Sequence, residues 1–175
     1  MQFIKTIRLN LTEKIIAILI ILWAAFELFS TLWTLNYFVS TGFEMKVLTW
    51  DNISYIKVFK NYHLNILVAL LSIFAATFLL FRKRTGWILT IALCLINVIS
   101  YVILILNLNG AYGKVNSPAF YFIYGVIILI YLFFIFLLLQ RPFKDKYSAS
   151  NKMWLPILIL VGSYLIDRII LFAFR

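Results

Sequence analysis

Five long apolar runs alternate with short polar clusters along the chain: Ile15 to Leu35, Leu64 to Phe81, Trp87 to Leu108, Ala119 to Leu139 and Met153 to Phe174. A helix rises about 1.5 Å per residue and a bilayer core is about 30 Å thick, so each run is long enough to cross a membrane as a helix. The polar punctuation agrees with these limits. Pro118 behind Ser117 suits a helix start, where a missing N–H costs nothing and the serine hydroxyl can cap. Arg141-Pro142 ends the fourth run, because proline cannot continue the hydrogen-bond ladder and restricts the residue before it. Arg82-Lys83-Arg84-Thr85-Gly86 is so short that the second and third helices must be antiparallel neighbours, with Gly86 available for a left-handed turn. Asn109-Gly110 and Asn116 to Pro118 bracket another turn.

The expected fold is an all-α integral membrane protein, a single bundle of about five transmembrane helices over residues 1–175. Residues 36–63 form its one sizeable loop, on the extracytoplasmic side. Within that loop Asp51 suits an N-cap, and Ile53, Ile56 and Phe59 read as an amphipathic extension leading into the second span. The fifth run carries Asp167 and Arg168, so four spans plus a C-terminal interfacial or partly buried helix is the alternative; its apolar character nearly all round favours crossing. The first run contains Glu27 and lacks a small-residue cleavage site, so it reads as an uncleaved anchor.

Composition narrows the class. At 65% hydrophobic and 13% charged residues, the chain departs far from a soluble domain, and 6 Gly with 3 Pro exclude a collagen-like one. Cys94 is the lone cysteine and His63 the lone histidine, so a disulfide, a structural zinc site and a haem attachment all lack ligands, and no cofactor is expected. The abundance of Ile, Phe, Asn, Lys and Tyr points to a low-GC bacterial gene, hence a bacterial inner membrane.

The net charge of +10 is a topology signal rather than a nucleic-acid footprint. With alternating spans, Lys5, Arg8, Lys14, Arg82, Lys83, Arg84, Arg141, Lys144, Lys146 and Lys152 share one side, and only Lys46, Lys57, Lys60, Lys114 and Arg175 lie on the other. The positive-inside rule places the richer side, with the N-terminus, in the cytoplasm. Membrane lipid is therefore one expected partner, with Arg82, Lys83 and Arg84 as a headgroup contact short of the usual four to eight basic residues. Trp33, Tyr37, Trp87, Tyr112, Tyr121, Tyr124 and Trp154 fall at expected interfaces as anchors, whereas Trp23, Tyr101, Tyr131 and Tyr164 sit too deep for that and read as packing.

The informative residues are those a bilayer penalises. A charge at the centre of a spanning helix costs about 2.5 to 3.5 kcal/mol on insertion scales, and Glu27, Asp167 and Arg168 carry that cost. Glu27 lies about 18 Å along the first span; Asp167 and Arg168 lie about 21 and 23 Å along the fifth, which runs in the same direction. Matching depths make Glu27 with Arg168 a candidate interhelical ion pair. Residues three or four apart share a helix face, which groups Glu27, Ser30, Thr31 and Thr34 on the first helix and Thr90, Cys94, Asn97 and Tyr101 on the third. On the fifth, Ser163 with Asp167 and Tyr164 with Arg168 form two adjoining stripes. Glu27, Thr31, Asn97, Asp167 and Arg168 thus form one intramembrane polar cluster, either interhelical glue or the lining of a path. Ser72 and Ala76 allow close packing on the second helix, Cys94 reads as a small packing residue, and His63 as a solvated residue at the outer mouth.

No nucleophile elbow, His-Glu-x-x-His motif or phosphate loop is present, so an enzyme is not expected. The favoured function is a small non-enzymatic accessory, regulatory or signalling subunit, working as a homo-oligomer or with another membrane or cytoplasmic protein, in a transport, envelope, immunity or phage-defence system. The alternative is a small oligomeric channel or ion- or proton-coupled carrier using Glu27, Asn97 and Asp167, and an intramembrane enzyme is a remote third.

Overall fold

A computed structural model describes residues 2–45, 55–108, 118–148 and 151–173. Its elements are α1 (Gln2–Glu44), α2 (Tyr55–Leu80), α3 (Arg84–Leu108), α4 (Pro118–Leu138), a short α5 (Arg141–Lys146), a 3-10 turn (Asn151–Met153) and α6 (Trp154–Ala173). No strand occurs among the described residues. The protein is an all-α bundle in which α1 to α4 are each long and apolar enough to cross a membrane. Their outer surfaces carry Phe26, Phe29, Phe122 and Phe136 exposed, which suits hydrocarbon rather than water.

The helices exceed the expected runs. Both α1 and α2 continue into what reads as the 36–63 loop, because the apolar extensions on either side stay helical; residues 46–54, with Asp51 and Ile53, lie outside the described residues, as do Tyr112 and Ser117. Helix α1 packs along α2, and α3 is the hub, packing against α2, α4 and α6. Buried side chains on α1 recur at Glu13, Ile16, Ala17, Ile20 and Ala24, the three-and-four spacing of one helix face. Helix α6 runs beside α3 in the same direction: Ile157 packs in the cluster that holds Trp87, and Tyr164 reaches Ser100.

The α2–α3 turn corrects the expected use of Gly86. The left-handed residue is Arg82, at φ 56°, and the turn closes with Lys83 N–H donating to Phe78 O (3.0 Å) and Arg82 N–H to Leu79 O (2.9 Å). That is the paired 6→1 and 5→2 bonding of a Schellman cap, with arginine where glycine is commonest. Gly86 instead lies within α3 and lets the hairpin close: a Cβ there would stand 2.3 Å from the Phe78 carbonyl carbon. Arg82, Lys83 and Arg84 are exposed, with the Lys83 ammonium over the Phe78 ring. Ser72 and Ala76 are buried as small packing residues, and Cys94 lies in the core.

Two further expectations change. Trp87 is not an interfacial anchor; it is fully buried, donates its indole N–H to Leu138 O (3.0 Å) and stacks on Tyr147. Residues 141–146 are not a plain loop but α5, because Pro142 sits in the first turn of a new helix, where its missing N–H is harmless. At this end of the bundle the buried Glu13 carboxylate pairs with Lys146 and accepts from the Tyr147 hydroxyl (2.7 Å), while Lys146 also donates to Asn10 (3.0 Å). The connection between α4 and α6 is thereby pinned to the foot of α1. Burial first, then the bond to Glu13, pushes the Tyr147 phenol above its ordinary pKa.

Candidate functional site

Towards the opposite end, α1, α2, α3, α4 and α6 all contribute to one cavity of about 440 Å³. Such a size falls within the range of small-molecule sites. Helix α1 supplies Trp23, Glu27 and Thr31; α3 supplies Asn97 and Tyr101; α6 supplies Arg168. The three-and-four spacing that puts Trp23 and Glu27 on one face also lets the indole N–H donate to Glu27 Oε1 (2.9 Å). The Tyr101 hydroxyl, from α3, donates to the same oxygen, and the indole N–H also reaches the Tyr101 oxygen (3.2 Å). Tyr101 is in turn held by ring contacts with Tyr124 and Tyr131 of α4. Two donors therefore converge on Oε1, whereas Glu27 Oε2 has no bonding partner among the described residues.

The expected ion pair between Glu27 and Arg168 does not form. Glu27 is taken by Trp23 and Tyr101, and Arg168 by α2 and its own helix, so the two charges line the same cavity from different walls. Arg168 is oriented by a relay. Ser100 donates to Ile96 O (2.8 Å), which uses its only proton, so the Tyr164 hydroxyl donates to Ser100 (2.6 Å) and its oxygen accepts from Arg168 Nε (2.9 Å). One further guanidinium N–H reaches Asn65 Oδ1 (3.3 Å). Of its five donors, three remain without a protein acceptor among the described residues, and Arg168 has no carboxylate partner there.

Asn97 completes the site. It is 5% exposed, lines the cavity, and its side-chain amide makes no hydrogen bond among the described residues. An amide that faces a cavity with its hydrogen-bonding capacity unused is a group suited to a ligand.

Of the expected cluster, Glu27, Thr31, Asn97 and Arg168 thus share the cavity, and Asp167 does not. Asp167 turns to α2 and pairs with His63 (3.2 Å), so His63 is a tie between α2 and α6 rather than a merely solvated residue. Its place beside Arg168 sends it to the adjoining face, about 100° around the helix. Thr90 and Ser163 bond back to carbonyls four residues earlier on their own helices and are structural. Asn65 is a cavity residue that sequence reasoning missed; its position among the few polar residues of the second run was the available signal. Among the described residues no group of three or more His, Cys, Asp or Glu gathers that could hold a metal ion.

No family model, curated protein or solved structure matches the chain.

Proposed function

We propose that this is a small non-enzymatic protein of a bacterial inner membrane that captures a polar ligand bearing both a cationic and an anionic group in the outer half of its bundle. It serves as the ligand-binding subunit of a larger transport, envelope or signalling assembly, as a homo-oligomer or with a membrane or cytoplasmic partner. One observation carries the ligand reading: a carboxylate oxygen, a guanidinium and a buried amide, each with bonding capacity left over, line a single cavity that every long helix helps to build. Groups meant only to hold helices together would bond to one another.

The excess of basic residues on one side supports a cytoplasmic N-terminus, which puts the cavity towards the outer face. The parallel course of α6 and α3, together with the tie from Asp167 back to α2, supports a fifth span, since a helix lying on the surface would not follow α3 from Trp87 to Ser100. At the basic end the Glu13–Lys146 pair and the Trp87–Tyr147 stack close the bundle, which favours a binding cavity over an open channel. A carrier would need a second conformation in which that closure opens.

Thr31→Cys in a Cys94→Ala background tests this in sealed, oriented vesicles. A membrane-impermeant maleimide is expected to label it from the outer side only. Labelling should slow at least tenfold with a short zwitterion drawn from amino acids and glycerophosphodiesters, and Glu27→Gln or Arg168→Gln should abolish that protection. Labelling from the cytoplasmic side, or labelling that no zwitterion slows, overturns the proposal.

A further inference from the structure

The polar cavity does not stand alone. Between α1 and α4 lies an apolar groove of about 180 Å³, and Trp23 and Ile127 line both spaces. The groove is otherwise walled by Leu19 and Ile20 on one side and Ile130, Tyr131 and Phe134 on the other. Leu19 and Ile130 are each 46% exposed, so the groove opens onto the lipid-facing surface. It runs from the cavity towards the basic end: Leu19 precedes Glu27 by about two turns on α1, and Phe134 follows Ile127 by about two turns on the oppositely directed α4.

Resting on the cavity reading above, we infer that the ligand is a phospholipid with a phosphoethanolamine head, its head in the polar cavity and one acyl chain in the α1–α4 groove. Three features converge on this class. The head must offer an anion to Arg168, whose fork suits phosphate, and a hydrogen-bonding cation to Glu27 Oε2. An anionic lipid with a glycerol head would leave the Glu27 carboxylate facing no cation, and an uncharged diglyceride would leave both charges unmatched. The continuity of polar and apolar spaces across Trp23 and Ile127 then demands an amphiphile whose chain begins where its head ends. The direction also fits: with the cavity in the outer half, the groove leads the chain towards the membrane midplane, as in an outer-leaflet lipid.

The test is native mass spectrometry of the purified, delipidated full chain incubated with equimolar phosphatidylethanolamine and phosphatidylglycerol in mixed micelles. The ethanolamine lipid should be retained at least tenfold over the glycerol lipid. Glu27→Gln should bring that ratio near one, and Arg168→Gln should reduce retention of both. Ile130→Trp and Leu19→Trp, at lipid-facing positions on opposite walls of the groove, should each lower retention about tenfold. Both should leave protection of Thr31→Cys by soluble glycerophosphoethanolamine unchanged. Equal retention of the two lipids by the wild type, or full retention with the groove filled, overturns the inference. If glycerophosphoethanolamine protects Thr31→Cys while the lipid is not retained, the lipid inference falls and the cavity reading stands; if neither binds, both fall.

Discussion

Glu13 and Glu27 are the same residue type on the same helix, fourteen residues apart, close to four full turns, and so on nearly the same face. Their surroundings differ in one respect that decides what each can do. Both oxygens of Glu13 are engaged, one by the Lys146 ammonium and one by the Tyr147 hydroxyl. At Glu27 both donors crowd onto one oxygen and no cation is supplied by the described residues. The buried, fully satisfied Glu13 holds structure, whereas the half-buried Glu27, with an oxygen to spare, can hold something else. Where the protein supplies the countercharge, the bundle is closed; where it does not, there is a cavity.

The largest effect that would break this comparison is at the closed end. Lys146→Met strands a carboxylate only 2% exposed, and losing one partner of a buried pair costs about 3 to 5 kcal/mol. Denaturant unfolding in detergent should show it, and Glu13→Leu combined with Lys146→Met should recover most of the loss, because an apolar pair leaves no charge unmatched. A double variant as unstable as the single would show that Glu13 contributes more than its pairing.

Next in size, Tyr147→Phe removes a hydrogen bond to a charged group and should cost about 1.5 to 3 kcal/mol. It should also change the alkaline limb of stability. A phenol whose pKa is raised in the fold keeps its proton there while the unfolded chain loses its own, so the stabilisation is complete below about pH 10 and declines as pH rises through and beyond that value. Unfolding followed from pH 8 upwards should therefore fall less steeply in Tyr147→Phe than in the wild type.

At the open end the expected order reverses, with a small effect on stability and a large one on binding. Glu27→Gln keeps an acceptor for Trp23 and Tyr101 and should shift unfolding by no more than about 1 kcal/mol, while zwitterion protection of Thr31→Cys disappears. A loss as large as that of Lys146→Met would make Glu27 a structural acid like Glu13. Smallest of all, Asp145→Asn breaks the exposed pair with Arg141 and should change neither melting temperature nor binding.

The four helices α1 to α4 were legible as spans because a bilayer penalises polarity so heavily that long apolar runs have few other uses, and the polarity of Glu27, Thr31, Asn97 and Arg168 stood out for the same reason. What periodicity could not convey was azimuth between helices. Matching depths made Glu27 and Arg168 look like partners, yet whether two residues at one level meet depends on which way each helix is turned, and Trp23, Tyr101, Tyr164 and Asn65 had already taken the contacts. Asp167 and Arg168, adjacent in sequence, were separated by the turn of a single residue. The closed end escaped because Glu13 lies ahead of the first apolar run, where an acid draws no attention, and Lys146 lies in a basic cluster that reads as a topology signal.

The hub position of α3 also has a consequence for biosynthesis. As the chain is made, α3 follows α2 into the membrane with one side covered, and Asn97, Ser100 and Tyr101 are committed to the bilayer before α4 and α6 exist to face them. Until α6 arrives, Ser100 has no Tyr164 and Asn65 no Arg168. The cavity is thus the last part of the bundle to be completed, and the order of synthesis leaves it open until α6 has supplied its final wall.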